Sequence, residues 1–263
     1  EFMCEGIRAL LELSIIWQIR DGFTLYDTVA YNIAIMKRMA RDNRDGSEFN
    51  YSWNCGIEGA TRKQAIRKMR EQQMRNAFLM LLLSQGTPMI YGGDEFANSQ
   101  AGNNNAWCQD NAVGWTDWKN AKEAGESFHF CKGSNCFPKK HPILHMPQEM
   151  RGVEVTWRRD FRIFLYMGNV HGFLTVDNTS RLLGVMYCGS YAENENGNAD
   201  DFIYIGMNFH WEKRNIALPN LPDGLGWKKG WRILPGRHQS SGLENMKKHI
   251  KNQLRSIHVR SWY

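Results

Sequence analysis

Three carboxylates stand where a barrel enzyme would place catalytic or substrate-holding groups. Asp21 heads a glycine-led turn after a short apolar run in "WQIRDGFTLYD", whereas Asp94 and Glu95 follow the apolar run and two glycines of "MIYGGDE". In barrel enzymes, the carboxyl ends of the strands carry the groups that do chemistry. Asp94 and Glu95 also have a plainer interpretation, because a carboxylate can fix a loop by accepting backbone hydrogen bonds. The pattern therefore predicts Asp21 as a catalytic residue and leaves the other two open between substrate contact and loop support.

A sugar-facing loop is the second chemical feature that the sequence indicates. Residues 98–118, "NSQAGNNNAWCQDNAVGWTDW", are rich in amides and indoles. Amide side chains both donate to and accept from hydroxyl groups, and an indole face can cover the apolar face of a pyranose. An ordinary ordered surface loop is an equally open interpretation. The candidate sugar contacts in this loop are Asn103, Asn104, Asn105, Trp107 and Asp110.

A long helix and a short strand are the elements that would position these groups. Thr61 and Gln64 form a capping-box pattern, so a helix is expected to begin at Thr61. Its second half, 77–83, is apolar on every side, which predicts burial, and Gly86 and Pro88 are expected to end it. "MIYGGDE" is then expected to be a short buried strand. A helix followed by such a strand is typical of a parallel α/β sheet or barrel.

The composition changes after about residue 150. Short β-prone runs such as "LLGVMYCGSY" and "DFIYIGMNFHW" alternate with Gly, Asn, Asp and Pro, which is typical of an antiparallel β-sandwich. The predicted fold class is thus α/β plus all-β, with one domain over 1–150 and a sandwich over 151–263. The sandwich is the better candidate for independent folding, since it closes its own core.

Length, charge and cysteine usage exclude several classes. The chain has 263 residues, 42% of them hydrophobic, and no apolar run reaches the roughly 18 residues that a membrane span needs. We therefore expect a cytoplasmic protein that does not bind membranes. Its six cysteines include no CxxC pair, which predicts free thiols, no metal and no cofactor. The net charge of +6 comes from three short stretches, 33–41, 131–138 and 156–173, rather than from one basic face, so nucleic-acid binding is not expected.

Several long motifs resemble one enzyme family. They include "DGFTLYDTVAYN", "DNRDGSEFNYSWNCGIEG" and "RNAFLMLLLSQGTPMIYGGDEFANSQAGNNNAWCQDN". Together with "DNTSRLLGVMYCG" and "NFHWEKRNIALPNLPDG", they resemble the isoamylase and glycogen-debranching branch of the α-amylase superfamily. The resemblance implies a glycoside hydrolase acting on α-1,6 branch points of α-glucans such as glycogen or maltodextrin. It further implies that residues 1–150 are the C-terminal part of a (β/α)₈ barrel, from about the seventh strand, followed by the C-terminal sandwich.

The resemblance also implies an incomplete catalytic site. Retaining glycoside hydrolysis needs two carboxyl groups about 5 Å apart. By resemblance, the nucleophilic Asp and the acid Glu would precede residue 1, and Asp21 matches the third carboxylate, which stabilises the transition state. Arg20 stands where the family has a sugar-binding His. The expectation is a debranching-type chain that is inactive alone. The alternatives are a non-catalytic α-glucan-binding module, a decayed gene product and a part of a longer chain.

The likeness to the family stops and resumes at the three basic stretches. Point substitution does not ordinarily produce such a pattern, whereas a displaced reading frame does. The sequence of 156–173 can be back-translated, with the frame displaced by one base, into family-like sequence, and 131–138 can be treated similarly. The hypothesis is that the frame slips and recovers there. If so, Cys131, Cys136 and Trp157 have no functional meaning.

One expectation concerns self-association. A chain with only part of a barrel lacks the neighbouring helices and strands that would cover the apolar helix over 62–85. We therefore expect Leu79, Leu81, Leu82 and Leu83 to form an exposed patch that promotes association between copies.

Overall fold

The structure is a computed structural model, and it divides the chain into two compact units. One unit comprises Ser14–Cys136, and the other consists mainly of Phe137–Tyr263. The predicted boundary near residue 150 stays a prediction. The residues that the structure describes are 14–16, 22–35, 50–84, 86–123, 125–146, 163–166, 182–209, 212, 218, 221, 225–232 and 254–260.

The Ser14–Cys136 unit combines two short parallel strands with helices. Strand β1 pairs in parallel with β2, and helix α2 lies between them in the sequence, which is the α/β arrangement predicted. Two 3₁₀ turns, Asp94–Phe96 and Ala106–Cys108, interrupt the segment after β2. The elements are β1 (Ser14–Ile16), α1 (Leu25–Thr28), α2 (Gln64–Leu82), β2 (Thr87–Met89), α3 (Trp118–Glu123) and α4 (Gly125–Lys140).

Helix α2 begins later than its sequence predicts. The residue before its first turn is Lys63, which has extended backbone angles and provides no side-chain cap. The Thr61 hydroxyl accepts a hydrogen bond from the Lys63 N–H at 3.2 Å instead of capping the helix. The capping-box prediction was therefore wrong, because the hydroxyl was satisfied locally, two residues along the chain. The helix ends at Leu82, a few residues before Gly86.

The second half of α2 is buried, as predicted, but the expected exposed patch is absent. Leu79, Leu81, Leu82 and Leu83 are all at most 5% exposed. This prediction was wrong because α1 and β2 pack against α2 within the chain itself. The core cluster around it consists of Leu25, Val29, Cys55, Met74, Ala77, Phe78 and Cys131.

Strand β2 is more exposed than predicted. Met89 is 46% exposed, and the next two residues, Ile90 and Tyr91, are 37% and 44% exposed. A parallel strand is buried when further strands and helices cover it, whereas the described sheet here contains β1 and β2 alone. The prediction of a buried strand was therefore wrong. Self-association stays a prediction. The exposed apolar residues Met89, Ile90 and Tyr91 are the surface that now supports it.

The second unit contains a five-stranded sheet with the order β3-β4-β5-β7-β6. The predicted antiparallel pairing holds for β3, β4 and β5. It does not hold for β7, which pairs in parallel with both β5 and β6. Parallel neighbours need a long connection, and residues 233–253 separate β6 from β7. The strands are β3 (Ile163–Tyr166), β4 (Leu182–Tyr187), β5 (Ile203–Asn208), β6 (Trp227–Arg232) and β7 (Leu254–Arg260).

Strand β3 falls inside 156–173, one of the stretches assigned to a displaced reading frame. Its backbone pairs regularly with β4, from Ile163 opposite Tyr187 to Tyr166 opposite Gly184. Its side-chain packing lies outside the described residues, as does most of the stretch. The frame hypothesis therefore stays a prediction. Sequencing the coding DNA tests it, because codons that do not permit the displaced peptides would exclude it.

Gly184 provides space for a buried tyrosine at the centre of this sheet. A Cβ at Gly184 would lie 2.1 Å from the hydroxyl oxygen of Tyr204, which is fully buried. We predict that Gly184→Ala lowers the free energy of unfolding of this unit by about 1–3 kcal/mol through overpacking. Gly226→Ala is the control, since a Cβ there meets nothing within 4 Å. Urea unfolding checks both, and equal loss in the two variants would contradict the prediction.

Two sequence expectations concern thiols and membranes. Cys55, Cys131, Cys136 and Cys188 are free thiols, as predicted. Of the helices in the described ranges, none has the length and apolarity that crossing a bilayer requires.

Candidate functional site

The predicted site residues fall into three groups in the structure. Asp21 and Arg20 lie outside the described residues. Asp94 and Glu95 occupy the 3₁₀ turn that follows β2. The remaining candidates lie in the loop after that turn, where they divide into buried asparagines, Asn103, Asn104 and Asn105, and the exposed residues Trp107 and Asp110.

Asp94 holds the start of α1. Its carboxylate is 3% exposed and accepts a hydrogen bond from the Leu25 N–H at 2.9 Å. Burial, assisted by the charges of Glu95 and Asp27, raises the pKa of Asp94 to about 7. Glu95 in turn accepts the Gly93 N–H at 2.9 Å. Both carboxylates therefore make the loop-supporting contacts that the sequence left open.

Asp27 is a second buried carboxylate, which the sequence analysis did not single out. It is fully buried and accepts hydrogen bonds from the Ser99 hydroxyl at 2.5 Å and from the N–H groups of Gln100 and Gly102 at 2.8 and 3.1 Å. Burial raises its pKa to about 6, against the opposing effect of these hydrogen bonds. Asp27 thereby fixes the loop after the 3₁₀ turn to α1.

A sequence signal for Asp27 was available. Thr24 and Asp27 have the spacing of an N-terminal capping motif, and the Asp27 N–H does donate to the Thr24 hydroxyl oxygen at 3.2 Å. The Thr24 side chain is thus the N-cap of α1. The motif locates the helix start, but it does not show that the carboxylate reaches residues 99–102.

The three asparagines are buried, and the side chains of Asn103 and Asn104 hold the loop together from inside. All are at most 6% exposed. The Asn103 side-chain oxygen accepts the Asn105 N–H at 2.8 Å, and the Asn104 amide donates to the side-chain oxygen of Asn50 at 2.7 Å. A direct sugar contact by these amides would require the loop to open. Their role in substrate contact remains a proposal.

A buried arginine supports the neighbouring loop, and it too was not foreseen. Arg70, on α2, is 2% exposed and donates to the carbonyl oxygens of Gly59 at 2.7 Å, Asn54 at 3.0 Å and Ile57. Helical periodicity assigns such a residue to the polar face. Only the tertiary structure shows that three backbone carbonyl oxygens of the neighbouring loop accept hydrogen bonds from the Arg70 guanidinium.

Glu58 fixes the same loop from its solvent side. Its carboxylate accepts the N–H groups of Asn32 and Ile33 at 3.0 and 3.1 Å and the Asn54 side-chain amide at 2.8 Å. Burial acts to raise the pKa of Glu58, but the hydrogen bonds that it accepts outweigh this effect, and the pKa is lowered. The loop over 50–59 is therefore rigidly attached to residues 32–33.

Aromatic side chains are the exposed chemical feature of this unit. Trp107, Trp115 and Trp118 are 63%, 59% and 70% exposed. The Trp115 indole N–H donates to an Asp110 carboxylate oxygen at 2.9 Å. Rings that expose their faces beside a carboxylate can bind a ligand with an apolar face and hydroxyl groups.

Four of the described carboxylates serve hydrogen bonds within the protein. Asp27 and Asp94 have raised pKa values because they are buried, so a substrate does not reach them. Glu58 and Glu95 are used to hold backbone N–H groups. The described part of the chain also contains no group of three or more His, Cys, Asp or Glu residues able to hold a metal ion.

Known proteins match this chain strongly in sequence. It is 45% identical over 209 residues to a protein named isoamylase 1, chloroplastic, of Arabidopsis thaliana, covering 79% of this chain and 24% of that protein. It is 41% identical over 132 residues to the glycogen operon protein GlgX homolog of Mycobacterium tuberculosis, covering 50% and 18%. These relatives carry names of the isoamylase and glycogen-operon type, which the sequence motifs of this chain resemble. The family resemblance in the sequence motifs is thereby confirmed.

The chain spans only about a fifth to a quarter of the length of such relatives. In addition to those two, isoamylase 1, chloroplastic, of Oryza sativa is 42% identical over 208 residues, with 24% of its length covered. No family model matches the chain.

Solved structures similar to this chain are pullulanases. That of Bacillus acidopullulyticus has a TM-score of 0.39 and 15% identity, covering 67% of this chain and 16% of that one. That of Paenibacillus barengoltzii, in complex with maltohexaose and α-cyclodextrin, has a TM-score of 0.38 and 18% identity, covering 47% and 16%. At these TM-scores the likeness adds nothing to the sequence identity.

Proposed function

We propose that this chain is the C-terminal part of an α-1,6-glucan debranching hydrolase and that, alone, it binds α-glucan without hydrolysing it. The observation that carries the proposal is the 45% identity to isoamylase 1 over 209 residues. Names of the relatives supply the substrate class, glycogen or a related α-glucan. The chain covers only about a quarter of that relative's length. For this reason we also propose that the chain alone does not hydrolyse glucan.

The architecture proposed is the end of a (β/α)₈ barrel followed by a C-terminal β-sandwich. The parallel pair β1–β2 with α2 between the two strands supports the barrel part, since parallel strands joined through a helix are its repeating unit. The antiparallel strands β3, β4 and β5 support the sandwich part.

Within this proposal, Asp21 is the transition-state stabiliser, and Arg20 replaces a sugar-binding histidine. The exposed positions of Trp107 and Asp110 support their proposed contact with glucan. We further propose a cytoplasmic protein that binds neither nucleic acid nor membrane, although the plant relatives are named as chloroplastic.

The alternative is a decayed gene product without glucan binding. The loss of family likeness in 33–41, 131–138 and 156–173 favours it. Cys131 argues against a decayed gene product, because it is 8% exposed and packs in the main core cluster. A residue created by chance in a displaced frame would not be expected to fit a core.

Affinity electrophoresis tests the proposal. We expect the migration of the purified chain to be retarded in native gels that contain glycogen or maltodextrin. Gels with hydroxyethyl cellulose, whose glucose units are β-linked, provide the matched control. Equal migration in all gels would contradict glucan binding and would favour the decayed gene product.

A further inference from the structure

The exposed ring of Trp115 is held in place by a hydrogen bond. Its indole N–H donates to Asp110 Oδ1 at 2.9 Å while the side chain remains 59% exposed. Trp118, at 70% exposure, lies against Phe96 with ring centroids 6.0 Å apart. A ring fixed before a ligand arrives loses less conformational freedom on binding. Trp115 is therefore an exposed indole that is fixed in position for a ligand.

The loop that carries Asp110 and Trp115 is built to keep the two together. The carbonyl oxygen of Asn111 accepts the N–H groups of Gly114 and Trp115 at 2.9 and 3.0 Å. The Asn111 side chain accepts the N–H of Val113 at 2.9 Å, and Val113 is buried. These bonds close a tight turn between the carboxylate and the indole.

Gly114 is required by that turn. A Cβ at this position would lie 2.2 Å from the carbonyl oxygen of Gln109, a distance that real Cβ contacts do not show. The backbone at Gly114 therefore lies so close to the Gln109 carbonyl that a residue with a Cβ does not fit there. Such a constrained turn fixes the position of the indole relative to the carboxylate.

We propose that Trp115 and Asp110 form a glucosyl-binding subsite on this chain, and the inference rests on the proposed glucan function. The indole face stacks on the apolar face of one glucose unit of an α-glucan. The second Asp110 oxygen, which accepts no hydrogen bond from the described residues, takes one from a hydroxyl of that glucose. Asp110 thus both positions the ring and contacts the sugar.

The chemistry of the pair favours a sugar over a purely apolar ligand. An apolar ligand would gain nothing from a solvent-exposed carboxylate beside the ring and would have to desolvate it. A pyranose presents C–H groups on one face and hydroxyl donors at its edge, so it satisfies both groups at once. This complementarity links the subsite to the glucan class rather than to a lipid or an apolar peptide.

The test is isothermal titration calorimetry of the full chain with maltoheptaose. We expect Trp115→Ala and Asp110→Ala each to raise Kd about tenfold, since an aromatic contact and a hydrogen bond are lost. Trp115→Phe keeps a ring without its N–H donor and should raise Kd less, by about threefold. The matched control, Trp118→Ala, removes an indole of similar exposure that has no carboxylate partner among the described residues, and it should change Kd less than twofold.

The outcomes separate this subsite from the proposed function. If the parent chain binds maltoheptaose and Trp115→Ala binds equally well, or if Trp118→Ala loses as much affinity, the subsite is overturned while glucan binding stands. If the parent chain itself does not bind, the proposed function fails and the subsite fails with it. Should Trp115→Ala lose its native circular dichroism, Trp115→Phe and Asp110→Ala decide between these outcomes.

Discussion

At pH 5, replacing Asp27 by alanine is expected to lower the free energy of unfolding of the Ser14–Cys136 unit by about 2–4 kcal/mol. The substitution leaves the buried N–H groups of Gln100 and Gly102, as well as the Ser99 hydroxyl, without their acceptor. Unpaired buried donors retain the full cost of their desolvation. The loop over 99–102 would therefore detach from α1.

Asp27→Asn is the informative counterpart. Its oxygen can accept the N–H groups of Gln100 and Gly102, and its amide can donate to the Ser99 hydroxyl oxygen. Asparagine therefore reproduces the protonated carboxyl group without its ability to ionise. We expect this variant to be more stable than the parent, by a smaller margin at pH 5 than at pH 8.

The sign of the pH effect follows from the raised pKa values. Burial raises the pKa of Asp27 from 3.8 to about 6 and that of Asp94 to about 7. Between pH 4 and 7 the folded chain thus binds protons more tightly than the unfolded chain, and stability falls as pH rises through this window. The Asp27 part is of order 2–3 kcal/mol. Asp27→Asn should remove that part and leave the part due to Asp94.

Hydrogen exchange of the Gln100 and Gly102 amides, together with urea unfolding at pH 5 and 8, measures these effects. Asp117→Ala is the matched control, because Asp117 is exposed and its side chain accepts only the Lys119 N–H from the described residues. It should change stability by less than about 1 kcal/mol. If Asp27→Asn follows the parent at both pH values, the buried carboxylate is not the source of the pH dependence.

The sequence predicted which parts of the fold are apolar better than it predicted what covers them. Residues 77–83 are buried as their all-round apolar pattern indicates, but the pattern cannot show whether the cover comes from this chain or another. For that reason the patch over Leu79–Leu83 was wrongly expected to be exposed, and Met89 was wrongly expected to be buried. Periodicity describes one element, whereas burial depends on contacts between distant elements.

The candidate site shows the same limit in its polar residues. An asparagine amide that can bind a sugar hydroxyl can equally bind a backbone group, and Asn103 and Asn104 do bind within the protein. Asp27 and Arg70 were not singled out because their partners are distant in sequence or are carbonyl groups without a residue signature. Trp107 and Asp110 are exposed, as a sugar contact requires, and their contact with a sugar stays a prediction.

The chain itself is expected to release no reducing sugar from pullulan or glycogen above the blank. Hydrolysis with retention needs two carboxyl groups about 5 Å apart, one to attack the anomeric carbon and one to protonate the leaving oxygen. In the described part of the Ser14–Cys136 unit, Asp27 and Asp94 are buried and hold backbone N–H groups. These two buried carboxylates are therefore not available as catalytic partners of Asp21.

A single carboxylate cannot replace that pair. General acid–base help contributes about 10²–10⁴-fold, whereas enzymes commonly exceed their uncatalysed reactions by about 10⁶-fold or far more. A reducing-sugar assay of the parent and Asp21→Asn decides the matter. Equal traces of sugar from both would identify a co-purified enzyme, while hydrolysis that Asp21→Asn abolishes would contradict the prediction. If activity appears only when the proposed upstream barrel part is supplied, Arg20→His should raise it, because histidine restores the compact sugar-binding donor that the family resemblance implies at that position.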